Sequence, residues 1–141
     1  MYKRILILLA LFSFRYSFAQ TGRVILQIEN IQTRKGGEVA AAVFNSKNFL
    51  KTGKQLSGNF KEVSSAKMIF IFESLSPGEY AFVAYQDVDR NKSMKTNFIG
   101  YPKEPWGISN KPRILFGPPS FDESKVKVRA NQTTTVNIRL N

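Results

Sequence analysis

Cysteine and histidine are both absent from the 141 residues. Without cysteine no disulfide can staple the fold, so a hydrophobic core must hold it alone, which this length permits. Without either residue, Ser-His-Asp and Cys-His catalysis are excluded, and so is almost every usual zinc site. Carboxylates are also scarce, with 10 acidic residues against 21 basic ones. No segment of ordinary helix length carries an apolar stripe of 3.6-residue period, and no internal repeat is visible.

What is present begins with a basic and apolar N-terminus. Lys3 and Arg4 precede the apolar run Ile5 to Phe14, and Ser17-Phe18-Ala19 supplies small residues of an A-x-A-like cleavage site. This pattern predicts a signal peptide over residues 1–19, a mature chain from Gln20, and export. The apolar run is short for a membrane span of ~20 residues. Loss of Lys3, Arg4 and Arg15 leaves 18 basic against 10 acidic residues, a net charge of +8. Such an excess favours acidic surfaces, but the basic residues are dispersed and do not argue for nucleic acid. A hydrophobic content of 43%, with aromatics making up 13% of all residues, is that of one globular domain over residues 20–141.

Strand patterns fill most of that domain. Val24, Leu26 and Ile28 alternate with Ile25, Gln27 and Glu29, and Glu38 to Phe44 follows after Gly36-Gly37. These two segments are expected to form a hairpin. Asn45 to Gly58 is polar and reads as a loop holding at most one helical turn near Lys47 to Thr52. Lys67 to Glu73 is apolar on both faces, the pattern of a central strand. Ser76-Pro77-Gly78-Glu79 predicts a type II turn into the strand Tyr80 to Tyr85. Lys125 to Ala130 and Thr133 to Leu140 alternate cleanly around Asn131-Gln132. About seven short strands separated by turns argue for an all-β antiparallel sandwich, with a small barrel as second choice.

One long stretch, 87–123, interrupts the strands. It holds five of the six prolines, together with Gly100, Gly107 and Gly117, which stiffen it and set its turns. Asp87, Asp89 and Asn91 stand at alternate positions, able to turn three oxygens toward one point as a Ca²⁺ loop does. An EF-hand would need Gly and Glu where Lys92 and Phe98 stand. The competing role for Asp87 and Asn91 is to accept backbone amides in an Asx-type turn, which the two lysines Lys92 and Lys95 favour. Glu104 with Asp87 or Asp89 could form a glycosidase acid–base pair at the right separation, or it could pin the loop through backbone amides or a basic partner. Phe98 and Phe121 are expected to fold back as a mini-core. Tyr101, Lys103, Glu104, Trp106 and Asn110 are the predicted ligand-binding residues, with an envelope glycan or protein as partner. No catalytic constellation stands out, and a further alternative is a purely structural envelope protein whose long stretch covers an open edge of the sandwich.

The cluster Phe72, Leu75, Pro77-Gly78, Tyr80 resembles prealbumin-like sandwiches, including carboxypeptidase regulatory-type domains. More distinctive are Asp87-x-Asp89-x-Asn91, Gly100-Tyr101-Pro102-Lys103-Glu104-Pro105-Trp106-Gly107 and Gly117-Pro118-Pro119-Ser120-Phe121. Together they resemble an uncharacterised bacterial exported family, domain of unknown function 2141. The resemblance implies a bacterial exported β-sandwich, in the periplasm or secreted to the medium, and brings no established activity or ligand. Members commonly carry Gly where Lys92 stands and Asp where Lys95 stands.

Overall fold

In a computed structural model the chain is described over residues 20–113 and 117–141. The expected signal peptide, 1–19, lies outside the described residues. Among the described residues the protein is an all-β sandwich of eight strands with one short α-helix. The strands are β1 (Gly22–Glu29), β2 (Glu38–Phe44), β3 (Ser57–Glu62), β4 (Lys67–Leu75), β5 (Gly78–Asp87), β6 (Trp106–Ile108), β7 (Val126–Val128) and β8 (Thr133–Arg139); α1 is Phe121–Ser124. One sheet has the order β4-β1-β8, and the other β3-β2-β5-β6 with β7 also on β5. Most pairs are antiparallel, but β1 and β8 run parallel.

The period-two pattern sets the core. Val24, Leu26 and Ile28 of β1 turn inward beside Met68, Phe70 and Phe72 of β4 and meet Val39, Val43, Phe82 and Ala84 of the second sheet. The strand β5 is shared by two layers. Its residues Phe82 and Ala84 face this core, while Val83 joins a second buried cluster with Phe44, Trp106 and Ile108 on the sheet's outer face.

Three local expectations are corrected by this topology. The segments β1 and β2 are not a hairpin, because they belong to different sheets. A 3₁₀ turn, Thr33–Lys35, carries the chain across instead. There Gly37 (φ 81) is required because a Cβ would lie 2.2 Å from the Asp87 carbonyl oxygen. The strand β4 is not central. It lies at a sheet edge, with Ile69 and Ile71 about half exposed, and Ile71 stands opposite Ile25. The Pro77-Gly78 link is an arch between sheets and not a type II hairpin turn. Gly78 does not take a positive φ, and Ser74 (φ 57) does. The Tyr80 hydroxyl donates to the Ser76 carbonyl at 2.9 Å and closes the arch, much as a tyrosine corner closes an interstrand crossing.

The strand β3 lies next to the expected loop. All six of its residues are exposed, so no apolar alternation signals it, and its ladder to β2 holds it in place. Asn45 to Asn48 forms a turn in which the Asn45 carboxamide accepts the Lys47 and Asn48 amides, with no helix following.

The strand β6 turns part of the 87–123 stretch into framework. It extends the sheet beyond β5 and also reaches the other sheet. The Trp106 amide donates to the Asn141 side chain at 3.0 Å, and the Asn141 amide donates back to the Trp106 carbonyl at 3.1 Å. Just beyond, Ser109 fills the gap between β6 and β7 on the edge of β5. Its amide donates to the Phe82 carbonyl, its hydroxyl accepts the Phe82 amide, and that hydroxyl donates to Ser124.

At Gly107 the two sheets come close together, since a Cβ there would lie 2.6 Å from the Arg139 carbonyl oxygen and from Ile138. Gly107→Ala is expected to lower the unfolding free energy by about 1–3 kcal/mol, as overpacking does. Urea denaturation checks it, and unchanged stability would mean that β6 does not press on β8.

Candidate functional site

The site is built outward from the end of β5. Asp87 is fully buried, and its carboxylate accepts the Asn91 amide at 3.2 Å and the Lys92 amide at 2.7 Å. This is the Asx-type turn weighed against calcium in the sequence. Asn91 does not offer its oxygen to the same point: that oxygen accepts the Ser93 amide, while its NH₂ donates to Asp89. Glu104 takes the third place instead. Oxygens of Asp87, Asp89 and Glu104 lie within 4.8 Å of one another.

Glu104 is buried, and neither of its oxygens is left over. One accepts the Val88 amide and the other the Lys95 amide, each at 3.1 Å. A single carboxylate thus ties two separate turns of the excursion to the residue before Pro105. The Pro105 carbonyl in turn accepts the Gln86 amide at 2.8 Å, joining that residue to β5. The Lys95 ammonium lies 2.5 Å from Asp89 and supplies positive charge to the cluster. The hydrogen bond with Asp89 is the main cause raising the Lys95 pKa, and its counterpart with Lys95 lowers that of Asp89.

Beyond Lys95 the chain forms a finger over residues 95–103. The Lys103 amide donates to the Lys95 carbonyl and the Asn97 amide to the Tyr101 carbonyl, both at 2.8 Å. The Asn97 side chain accepts the Ile99 and Tyr101 amides, and the Gly100 amide closes a tight turn onto the Asn97 carbonyl. Phe98 and Ile99 occupy the centre of that turn, so their side chains splay into solvent. Phe98 is 98% exposed, which corrects its expected place in a mini-core. Phe121 does pack back, edge-on to Phe49 with ring centroids 5.6 Å apart.

Between the finger, the 45–56 loop and the outer face of the second sheet lies a cleft of about 980 Å³. Ala40 and Ala42 form its floor; Phe44, Tyr85, Met94 and Trp106 are among its apolar walls. Small alanines on the sheet leave the room, and the aromatic rings surround it. Of the predicted ligand-binding residues, Tyr101 and Trp106 meet here, edge to face at 6.4 Å. Lys103 is exposed on the finger, Glu104 is buried in the carboxylate cluster, and Asn110 lies elsewhere, donating to the Lys125 carbonyl. Lys51 and Lys92 carry charge onto the lining, and no carboxylate lines it among the described residues. The Lys92 ammonium sits 5.4 Å from the Phe60 ring centroid.

Tyr85 and Met94 were missed by sequence reasoning. Tyr85 could have been found as the outward residue of a strand otherwise small on that face. Burial first, then the charges of Asp87, Glu104 and Glu38, push its phenol up to about 12. It is therefore a neutral hydroxyl at physiological pH.

Glu104→Ala strands two amides and is expected to lower stability by about 1–3 kcal/mol. Lys92 sits at φ 59, so Lys92→Gly is expected to raise stability by up to about 1 kcal/mol, strain relief less the added chain entropy. Denaturant melts of both variants check the pair; a neutral Glu104→Ala would mean that the cluster does not hold the excursion.

The family model described as "Uncharacterized protein conserved in bacteria (DUF2141)" matches residues 26–137. No curated protein and no solved structure matches the chain. The match runs from inside β1 to inside β8 and takes in the carboxylate cluster, the finger and β6. The chain belongs to this uncharacterised bacterial family.

Proposed function

We propose that the protein is an exported, non-enzymatic binding domain, with stretch 87–123 supplying one wall of its ligand site and the outer face of the second sheet the other. The composition of the cleft carries this reading. Its volume is in the range of small-molecule sites, and apolar and aromatic groups outweigh polar ones on its walls, as in such sites, with Thr52, Gln55, Ser93 and Thr96 among the polar side chains. Lys51 and Lys92 on the lining, with the neutral Tyr85 hydroxyl, suit a ligand whose apolar body ends in an acid group. The N-terminal basic, apolar and small-residue pattern supports export.

A carbohydrate-active reading would set Glu104 and Asp87 or Asp89 across an open cleft. Against it, both oxygens of Asp87 and of Glu104 accept backbone amides. Asp89 holds Lys95, and none of the three lines the cleft.

The test uses full chain expressed in a bacterial host and recovered from the envelope, where export predicts a product beginning at Gln20. Trp106 is the sole tryptophan, so its emission reports on the cleft. Titration with 1-anilinonaphthalene-8-sulfonate, an aromatic body with one acid group, should draw energy transfer from Trp106. Lys51→Gln with Lys92→Gln should weaken binding about tenfold, equivalent to ~1.4 kcal/mol. Equal binding by that variant, or no binding by the native protein, would overturn the reading.

A further inference from the structure

The finger presents to water what the rest of the fold hides. Phe98 is 98% and Ile99 73% exposed, whereas other large apolar side chains on the surface, such as Ile69 at 49%, are half covered by neighbours. The tip is also held firmly. The Asn97 side chain accepts two amides of the turn, and Thr96 pairs with Pro102 across the finger. Its exposure is thus imposed by the turn geometry, and leaving both side chains in water forgoes the burial that drives apolar groups inside.

Residues 92–103 contain Lys92, Lys95 and Lys103 and no carboxylate, and Asp87, Asp89 and Glu104 cluster at the finger's foot. Lys95 is engaged by Asp89, Lys103 is exposed at the finger's base, and Lys92 is exposed just before the finger, its ammonium 5.4 Å from the Phe60 ring centroid. Residues 20–141 carry a net charge of +8, which steers them toward negative surfaces.

We propose that the finger docks the protein on an anionic phospholipid bilayer, with Phe98 and Ile99 entering the acyl boundary and Lys92 and Lys103 on the headgroups. The shape favours lipid over a protein partner. A convex tip of two residues offers little of the area a stable protein interface needs, whereas a bilayer yields around a small apolar wedge. One short apolar element anchors weakly, so the lysines provide the second attraction that reversible membrane binding requires. Lys92 and Ile99 also line the cleft, so the docking is separated from the cleft's ligand by Phe98 and Lys103, which do not.

Sedimentation of the mature protein with phosphatidylcholine–phosphatidylglycerol vesicles tests the proposal. Binding should exceed that to phosphatidylcholine alone and fall as salt is raised. F98S/I99S should weaken binding at least about tenfold, and K92Q/K103Q should flatten the salt dependence. Phe98→Trp gives a second readout: its emission should shift to the blue and be quenched by brominated acyl chains, while the native protein's buried Trp106 should respond little. Vesicle binding unchanged in F98S/I99S, or an unquenched tip tryptophan, would leave only diffuse attraction of a basic protein and overturn the proposal. So would failure of the native protein to bind anionic vesicles. The dye titration of the cleft contains no lipid, so it stands or falls separately.

Discussion

The outer half of this molecule depends on the Glu104 carboxylate. Buried charge is costly unless it is paired or hydrogen-bonded, and here two backbone amides, from Val88 and Lys95, do the pairing. Those amides lie on either side of the turn that Asp87 organises. One side chain therefore fixes where the excursion leaves β5, where the finger starts and where the chain returns into β6. Remove that bond set, and the wall facing the alanine floor has no defined position.

The inner core is built by a different set of contacts. Val24, Leu26, Phe70, Phe82 and Ile138 pack between the sheets by simple alternation, and the arch at Tyr80 and the close contact at Gly107 hold the sheets together. The outer cluster of Phe44, Val83, Trp106 and Ile108 is a second, smaller core built on the same strand. Most of the buried apolar residues therefore lie in one layer and the candidate site in the other.

Much of the inner layer was legible because strand alternation is a local signal. Val24, Leu26 and Ile28, and later Val136 and Ile138, fall on the core face as their spacing requires. Pairing was less legible, because partner choice depends on contacts far apart in sequence. Gly36-Gly37 and Pro77-Gly78 look like hairpin tips, yet both carry the chain between sheets. Ile69 and Ile71 suggested a central strand but face outward from an edge, with Ile71 set against Ile25. In the site, the Asp87 turn could be anticipated from its own spacing. A pinning role for Glu104 through backbone amides was legible too; that the Val88 amide, 16 residues before it, is one of them was not. Nor was the cleft, which arises from small residues on β2 facing aromatic residues brought from β5 and β6.

Amide hydrogen exchange on the native protein tests the keystone role of Glu104 most directly. The amides of Val88, Lys92 and Lys95 belong to loop segments with exposed side chains and would exchange quickly without acceptors. If carboxylates hold the excursion, these three should be protected like strand amides, and Glu104→Ala should release Val88 and Lys95 while leaving the β1 amides protected. Exchange of all three at unstructured rates in the native protein would contradict it.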